Sequence, residues 1–299
     1  MSNSPLCKDG LINRIEVFST SEICNAYNAI GIDVSRFFKG IKEVELFECL
    51  ETGYRFYCPL STIGDAEFYE NLSLNRKNYY SIRWEHRKIL STIKLSDRVL
   101  EIGSGFGSFL ELLKNKGIRA EGIELNPKAI AVCEEKGLRI HNMLIDEFSK
   151  EHSNQFDVVC YFQVLEHITN VYDFIKDSLK TIQPNGKLII GVPNNNPYLF
   201  VNDKYHTLNL PPHHAGLWNK KSLKSLEDVF NLKIESVYYE PLEETYAQFL
   251  KAYILNSNRL YSKILRILSK VVPITLKKVL CYFINGRNIM VVFRKTHNG

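Results

Sequence analysis

The chain lacks any apolar run long enough to span a bilayer, and its first residues lack the apolar stretch of an export signal. Neither a membrane span nor a secretory leader is expected, and the compartment reads as the cytoplasm. A disulfide or zinc-finger pattern is missing as well. The seven cysteines stand at 7, 24, 49, 58, 133, 160 and 281, an odd count without repeating spacing. Cys133 and Cys160 fall in apolar patterns, as reduced core thiols do. Cys49 and Cys58 flank a turn, but a structural zinc site wants four ligands, and nothing else in the sequence looks like a metal cluster. A large excess of one charge is absent too. The chain has 38 Lys and Arg against 33 Asp and Glu, a formal +5, too little to call for a nucleic-acid partner. What remains is ordinary globular material: 299 residues, 45% hydrophobic and 24% charged, enough for one large domain or two small ones.

Residues 98 to 126 are the most informative stretch. Arg98 to Ile102 is a short apolar run that reads as a buried strand. Gly103, Ser104, Gly105, Phe106 and Gly107 form a glycine loop, and Ser108 to Lys114 has the apolar spacing of a helix. Glycine lets the backbone turn sharply and approach a ligand without a Cβ in the way, and the helix start behind it offers unpaired N–H groups. Ala120 to Ile123 reads as a second strand, ending in Glu124. An acid there can take both hydroxyls of a ribose. Such a unit could cradle NAD or S-adenosylmethionine. Two details decide between them. The glycines are spaced Gly-x-Gly-x-Gly and not as the dinucleotide fingerprint Gly-x-Gly-x-x-Gly. Glu101, just before the loop, would repel a pyrophosphate but suits the cationic amino-acid end of S-adenosylmethionine.

The segment resembles motif I of the class I S-adenosylmethionine-dependent methyltransferases, and Asn126-Pro127 strengthens the match. From Phe156 to Val192 the order is a strand, Leu165-Glu166-His167, a helix, Pro184-Asn185-Gly186 and a strand. That order is similar to the ubiquinone-biosynthesis-like branch (methyltransferase type 11 / type 23), so the resemblance covers about residues 77 to 240. It implies an α/β fold: a Rossmann-like three-layer sandwich around a seven-stranded, mostly parallel sheet in the order 3-2-1-4-5-7-6, with the last strand antiparallel. It also implies a cofactor, S-adenosyl-L-methionine. The loop (Glu101, Gly103, Ser104, Gly105, Phe106), the ribose acid and its neighbours (Glu124, Leu125, Asn126), an adenine slot (Met143, Leu144) and the end of the fourth strand (Phe162, Gln163) would hold it. A helix expected over Tyr79 to Thr92 would close over the cofactor, with Tyr80, Tyr79 or Trp84 facing the sulfonium, where an aromatic face favours a cation.

The remaining chain divides into an extension over 1–76, the core over 77–240 and 287–299, and an insertion over 241–286. The extension reads as a short helix from Ser21 to Ala29 and two strands about Thr52-Gly53. The core is expected to add helices over Pro127 to Lys136, Val171 to Ile182 and Ser222 to Phe230, and strands over Leu138 to His141, Lys187 to Val192, Leu232 to Tyr239 and Ile289 to Arg294. Pro193 to Trp218 is a long loop, and loops of that length are often functional. The insertion holds basic residues and no acid from Lys251 to Asn285, has apolar residues at helical spacing, and is split by Pro273 into at least two helices. It reads either as a helical cap with solvated cations or as a basic amphipathic surface for an anionic membrane. The second reading would put the protein at the inner face of the membrane.

Methyl transfer needs a nucleophile held in line, and an oxygen nucleophile profits from a positioned base. His167 follows the fourth strand at the carboxyl edge of the sheet, where ligands bind in open α/β folds. His213 and His214 lie in the long loop above the same edge. These three are the candidate bases, although histidines at such places also serve as structural hydrogen-bonders. His141 ends a strand and His86 faces out of its helical pattern, so both are weaker candidates. Asn194 and Asn195 follow the fifth strand and suggest a hydroxyl-bearing acceptor. No Asp-Asn-Asp arrangement of metal-dependent catechol methyltransferases and no Asp/Asn-Pro-Pro-Tyr of nucleic-acid methyltransferases is present. The expected reaction is O-methylation of a small molecule or of a sugar on a cell-surface glycan or its lipid-linked precursor. A quinone or phenolic lipid is the alternative acceptor. A non-catalytic S-adenosylmethionine-binding scaffold and a nicotinamide enzyme are the alternatives of another class.

Overall fold

A computed structural model of the chain describes residues 3–7, 9–65, 67–69, 72, 82–195, 203–255 and 260–296. A four-stranded antiparallel sheet comes first, built from β1 (Ile12–Ser19), β2 (Glu43–Cys49) and β3 (Arg55–Cys58), with helix α1 (Thr20–Asn28) between the first two strands. The pairing of β2 with β3 across the turn matches the expected hairpin. Strand β1 was not anticipated. It is a mostly exposed edge strand whose apolar residues, Ile12, Ile15, Val17 and Phe18, do not alternate.

The main sheet holds β4 (Arg98–Ile102), β5 (Arg119–Ile123), β6 (Arg139–His141), β7 (Phe156–Phe162) and β8 (Ile182–Pro193). These pair in parallel, and the sheet is completed by β10 (Leu232–Pro241) and β11 (Asn285–Lys295). The order is β6-β5-β4-β7-β8-β11-β10, with β11 antiparallel to both neighbours. This is the expected seven-stranded Rossmann-like sandwich. A two-residue piece of the long loop, β9 (Gly216–Leu217), leaves the main unit and pairs with β3 as the fourth strand of the small sheet.

Period-two alternation makes the layers. In β7, Val159 and Tyr161 face one apolar cluster, while Val158, Cys160 and Phe162 face another on the opposite side. The helices covering the sheet are α2 (Trp84–Leu90), α3 (Ser108–Asn115), α4 (Pro127–Glu135), α5 (Ile145–Glu151) and α6 (Val171–Thr181). After β9 come α7 (Lys220–Lys224) and α8 (Leu226–Phe230), two short helices where one was expected. The helix over Tyr79 to Thr92 is α2 within the described part; Tyr79 and Tyr80 lie outside the described residues. The turn at Pro184-Asn185-Gly186 is absorbed into β8, with Asn185 at φ 62° and the register against β7 shifted there. The insertion forms α9 (Leu242–Phe249), a π-helical turn (Leu250–Leu255), α10 (Leu260–Val271) and α11 (Pro273–Phe283). Pro273 opens α11, where its missing N–H is no loss.

The two sheets are joined through aromatics. Trp218 is fully buried in the main cluster, 4.5 Å from the ring of Tyr54, and a parallel bridge ties it to Asn194. The Tyr54 hydroxyl packs so closely on Gly216 that an added Cβ would collide with it. Trp218→Ala is expected to cost about 3–5 kcal/mol of stability, the usual range for emptying a buried Trp site. Denaturant unfolding followed by circular dichroism measures it.

Candidate functional site

The glycine loop leaves β4 with Gly103, Gly105 and Gly107 all at positive φ (74°, 52° and 73°). A Cβ on Gly103 would meet Val164 Cγ2 at 2.6 Å, and one on Gly122 would meet Ser104 Oγ at 2.3 Å. The loop therefore lies in direct contact with the segment that carries His167. Its back is held by three donors: Ser104 Oγ to the Ile123 carbonyl (3.2 Å), Cys133 Sγ to the Gly105 carbonyl (3.3 Å) and Lys136 Nζ to the Phe106 carbonyl (3.2 Å). The Ser104 hydroxyl thus faces inward.

Two acids meet at this loop. Glu124 accepts from three backbone amides, Gly105 N at 2.7 Å and Leu125 N and Asn126 N at 2.9 Å each. Two carboxylate oxygens have about four acceptor sites, so about one remains, on Oε2, for a ribose hydroxyl. Glu101 is buried, and its Oε2 has no hydrogen-bond partner among the described residues. Burial, and then the neighbouring Glu124, push its carboxyl well above the usual range. A buried acid without a partner is costly unless a cation meets it, and the ammonium of S-adenosylmethionine is such a cation. The loop, the ribose acid and this orphaned oxygen fit the group.

Beyond Glu124, Leu125 and Leu144 are each 52% exposed, apolar lips at the strand ends where an adenine would be cupped, and Met143 packs behind them on the core. Asn126 uses its side chain to cap α4 by accepting from Lys128 N at 3.0 Å, so its part is structural. Phe162, expected at the cofactor, has its ring in the core, edge-on to Phe109 and His86. Gln163 sits at φ 58° and donates through Nε2 to Glu85 Oε1 at 3.2 Å. A non-glycine residue in that region is uncommon and tends to mark a functional edge. Tyr80 lies outside the described residues.

The three histidines converge although 46 residues separate the first from the second. His167 ends a 3-10 turn (Leu165–His167) after β7. Its ring centroid is 5.0 Å from that of His213 and 5.1 Å from that of His214, which stack on each other at 4.4 Å. His167 Nδ1 lies 2.7 Å from the His213 carbonyl. A carbonyl only accepts, so Nδ1 carries the proton and Nε2 the lone pair. Burial lowers the His167 pKa to about 4, so the imidazole is neutral. Glu166 is buried with Oε1 3.8 Å from His167 Nε2, and burial raises its pKa to about 8. Ring nitrogens of the trio lie within 4.8 Å of one another, a spacing that would also admit a divalent cation and that no local sequence pattern announced.

The loop bearing His213 and His214 is held from the N-terminal extension, by helix α1 and strand β3. Tyr27 donates to the carbonyls of Thr207 (2.8 Å) and Leu210 (3.1 Å), and Tyr57 to that of Asn209 (2.8 Å). Backbone ties run from Ala215 N to the Glu166 carbonyl and from Tyr57 N to the Ala215 carbonyl. Tyr69, read from sequence only as one aromatic among several, donates to the His213 carbonyl at 2.8 Å and reaches His167 Nδ1 at 3.1 Å. Glu85 was not singled out either. It is fully buried, with a pKa raised by burial to about 7. The apolar spacing of Ile82, Ile89 and Leu90 points an inward stripe at Ile82, but Ile82 stands exposed ahead of the helix, whose Trp84, Glu85 and His86 are buried. His86, expected to face out, stacks on Phe109. Asn195 donates to the Trp218 carbonyl at 3.2 Å, pinning the loop from within.

Three comparisons with known proteins agree with this geometry. A family model described as a methyltransferase domain matches residues 74–237. A ubiquinone biosynthesis O-methyltransferase of Pseudomonas aeruginosa (strain UCBPP-PA14) is 26% identical over 170 residues, covering 50% of this chain and 71% of its own length. One from Aromatoleum aromaticum is 31% identical over 111 residues, covering 34% of this chain and 47% of its own length. The crystal structure of a SAM dependent methyltransferase from Archaeoglobus fulgidus superposes with a TM-score of 0.53 at 22% identity, over 77% of this chain and 100% of that one. That likeness concerns the fold alone. The family match spans more than half the chain and takes in the strand, glycine loop and acids that would hold the cofactor, so this protein belongs to the methyltransferase-domain family, as a class I S-adenosylmethionine-dependent methyltransferase of the ubiquinone-biosynthesis-like branch.

Proposed function

We propose that the protein methylates an oxygen of a hydroxyl-bearing small molecule, or of a sugar on a cell-surface glycan or its lipid-linked precursor, with His167 Nε2 as the proton acceptor. One observation carries the reading. The glycine loop touches Val164, and three residues on stands His167, so cofactor cradle and imidazole trio share one edge of the sheet. The bound sulfonium supplies an activated methyl. This chain's part is to hold the acceptor oxygen in line, which is worth about 7–11 kcal/mol when orientation is good, and to take its proton. Tyr69 and the His213 carbonyl fix the His167 ring, while His213 and His214 wall the acceptor side.

A second acceptor class, a quinone or phenolic lipid, is favoured by the apolar outer face of α10 and α11 and accords with the names of the relatives. Incubation with methyl-labelled cofactor and either saccharide acceptors or demethylated quinols separates the two.

Calorimetric titration with S-adenosylhomocysteine is expected to give tight binding, weakened about 10- to 100-fold in Glu124→Ala, the loss of one or two charge-assisted hydrogen bonds. Absence of binding to the unaltered protein would remove the basis of the reading. The same titration in two buffers of different ionisation heat is expected to show proton release. Burial shifts Glu101 toward its protonated form and an arriving ammonium favours the carboxylate, so affinity is expected to rise with pH as the free carboxyl loses its proton.

His167→Ala is expected to lower kcat about 10²–10⁴-fold with S-adenosylhomocysteine affinity unchanged. In the unaltered protein kcat/KM should climb with pH near 8. Glu166 ionises there, and its charge favours the imidazolium that forms as the proton transfers. Glu166→Gln should flatten that rise. Turnover that survives a chelator keeps the base, whereas loss restored by a divalent cation would make the trio a metal site instead.

A further inference from the structure

The outer face of the insertion is built the wrong way round for a cap. In α10, Leu260, Ile264, Ile267, Leu268 and Val271 recur at helical spacing and are all exposed. The inward side of the same helix offers Ser262, Leu265 and Ser269. In α11, Ile274, Val279, Tyr282 and Phe283 point outward, while Leu276 and Leu280 point in. Leu260 and Ile274 are 76% and 72% exposed, and Tyr282 and Phe283 are 83% and 77% exposed. The helices are thus anchored by a narrow seam on Leu242, Phe249 and Ile254 and turn their richer apolar face to solvent. Contiguous exposed apolar surface of this kind marks an interaction site.

Charge identifies the partner. Residues 251–285 contain seven Lys and Arg and no acid, and the remaining chain has 31 basic residues against 33 acidic ones. The whole positive excess of the protein is therefore gathered on this segment. Lys263, Lys270, Lys277 and Lys278 are exposed beside the apolar stripe. A second copy of the same face would set cations against cations. A neutral protein surface would leave them without complement. An anionic bilayer satisfies both parts, with apolar side chains entering the acyl boundary and lysines meeting phosphates. No helix among the described residues is long and apolar enough to cross a membrane, so α10 and α11 would lie in its surface. We infer that the outward face of α10 and α11 is a docking surface for anionic phospholipid membranes. This goes beyond the reaction and holds whichever acceptor is methylated.

Flotation of the full chain with vesicles tests it. Binding is expected to phosphatidylcholine vesicles containing phosphatidylglycerol, to be much weaker to phosphatidylcholine alone, and to fall with added salt. Replacing Lys263, Lys270, Lys277 and Lys278 with Ser is expected to weaken binding more than tenfold, since each near-surface cation is worth about fivefold. Tyr282→Ser with Phe283→Ser is expected to weaken it as well. All these side chains are exposed, and S-adenosylhomocysteine affinity, unchanged in every variant, confirms that each is folded. Equal binding to neutral and anionic vesicles, or undiminished binding of the lysine variant, would overturn the inference. So would a dimer, seen by light scattering and abolished by Phe283→Ser, in a protein that leaves vesicles unbound.

Discussion

A carboxyl group buried at the end of the central strand sets the terms for the rest of the molecule. Glu101 lies where the parallel sheet is most thoroughly covered, and its outer oxygen has no partner among the described residues. Taking such a group from water costs several kcal/mol unless it is neutralised or paired. Burial and the neighbouring Glu124 push it toward its neutral form, and the fold leaves a glycine-lined approach to it. Glu124 sharpens the demand by adding a second acid at the same loop, whose own charge is satisfied by three backbone amides. The cradle therefore suits a ligand with a cation at one end and a hydroxyl donor at the other, before any aromatic stacking is considered.

The second half of the site is organised on a different principle. The histidine loop makes little regular structure of its own, yet it is fixed by tyrosine hydroxyls and main-chain bonds from the N-terminal extension. Those phenols have one apolar body and one polar tip, so they bury in the extension's core while their oxygens satisfy loop carbonyls. The imidazoles are then enclosed in apolar and aromatic surroundings, which keeps His167 neutral and Glu166 protonated near pH 7.

How much of this was legible follows from range. The stretch from β4 to Glu124 could be read because a strand, a glycine loop and an acid speak within thirty residues, and each choice is local. The seven-stranded order followed from that likeness. His213 and His214 could be placed over the same sheet edge as His167, but the contact of the three rings was not legible, because proximity across that separation depends on how β9 leaves one sheet for another. Glu85 was missed because Ile82 drew the helical stripe onto the wrong face. β1 was missed because an edge strand has solvent on both sides and needs little alternation. Phe162 was assigned to the cofactor on position alone, whereas side-chain direction in a strand alternates and sends that ring into the core.

The short strand Gly216–Leu217 belongs by sequence to the methyltransferase core and by hydrogen bonding to the N-terminal sheet. The cofactor cradle and the histidine loop therefore draw on separate stretches of chain that meet at one seam. Lengthening or recasting the hairpin of β2 and β3 would shift the histidine loop while leaving the glycine loop's own contacts in place, so the two halves of this sheet edge can be altered independently.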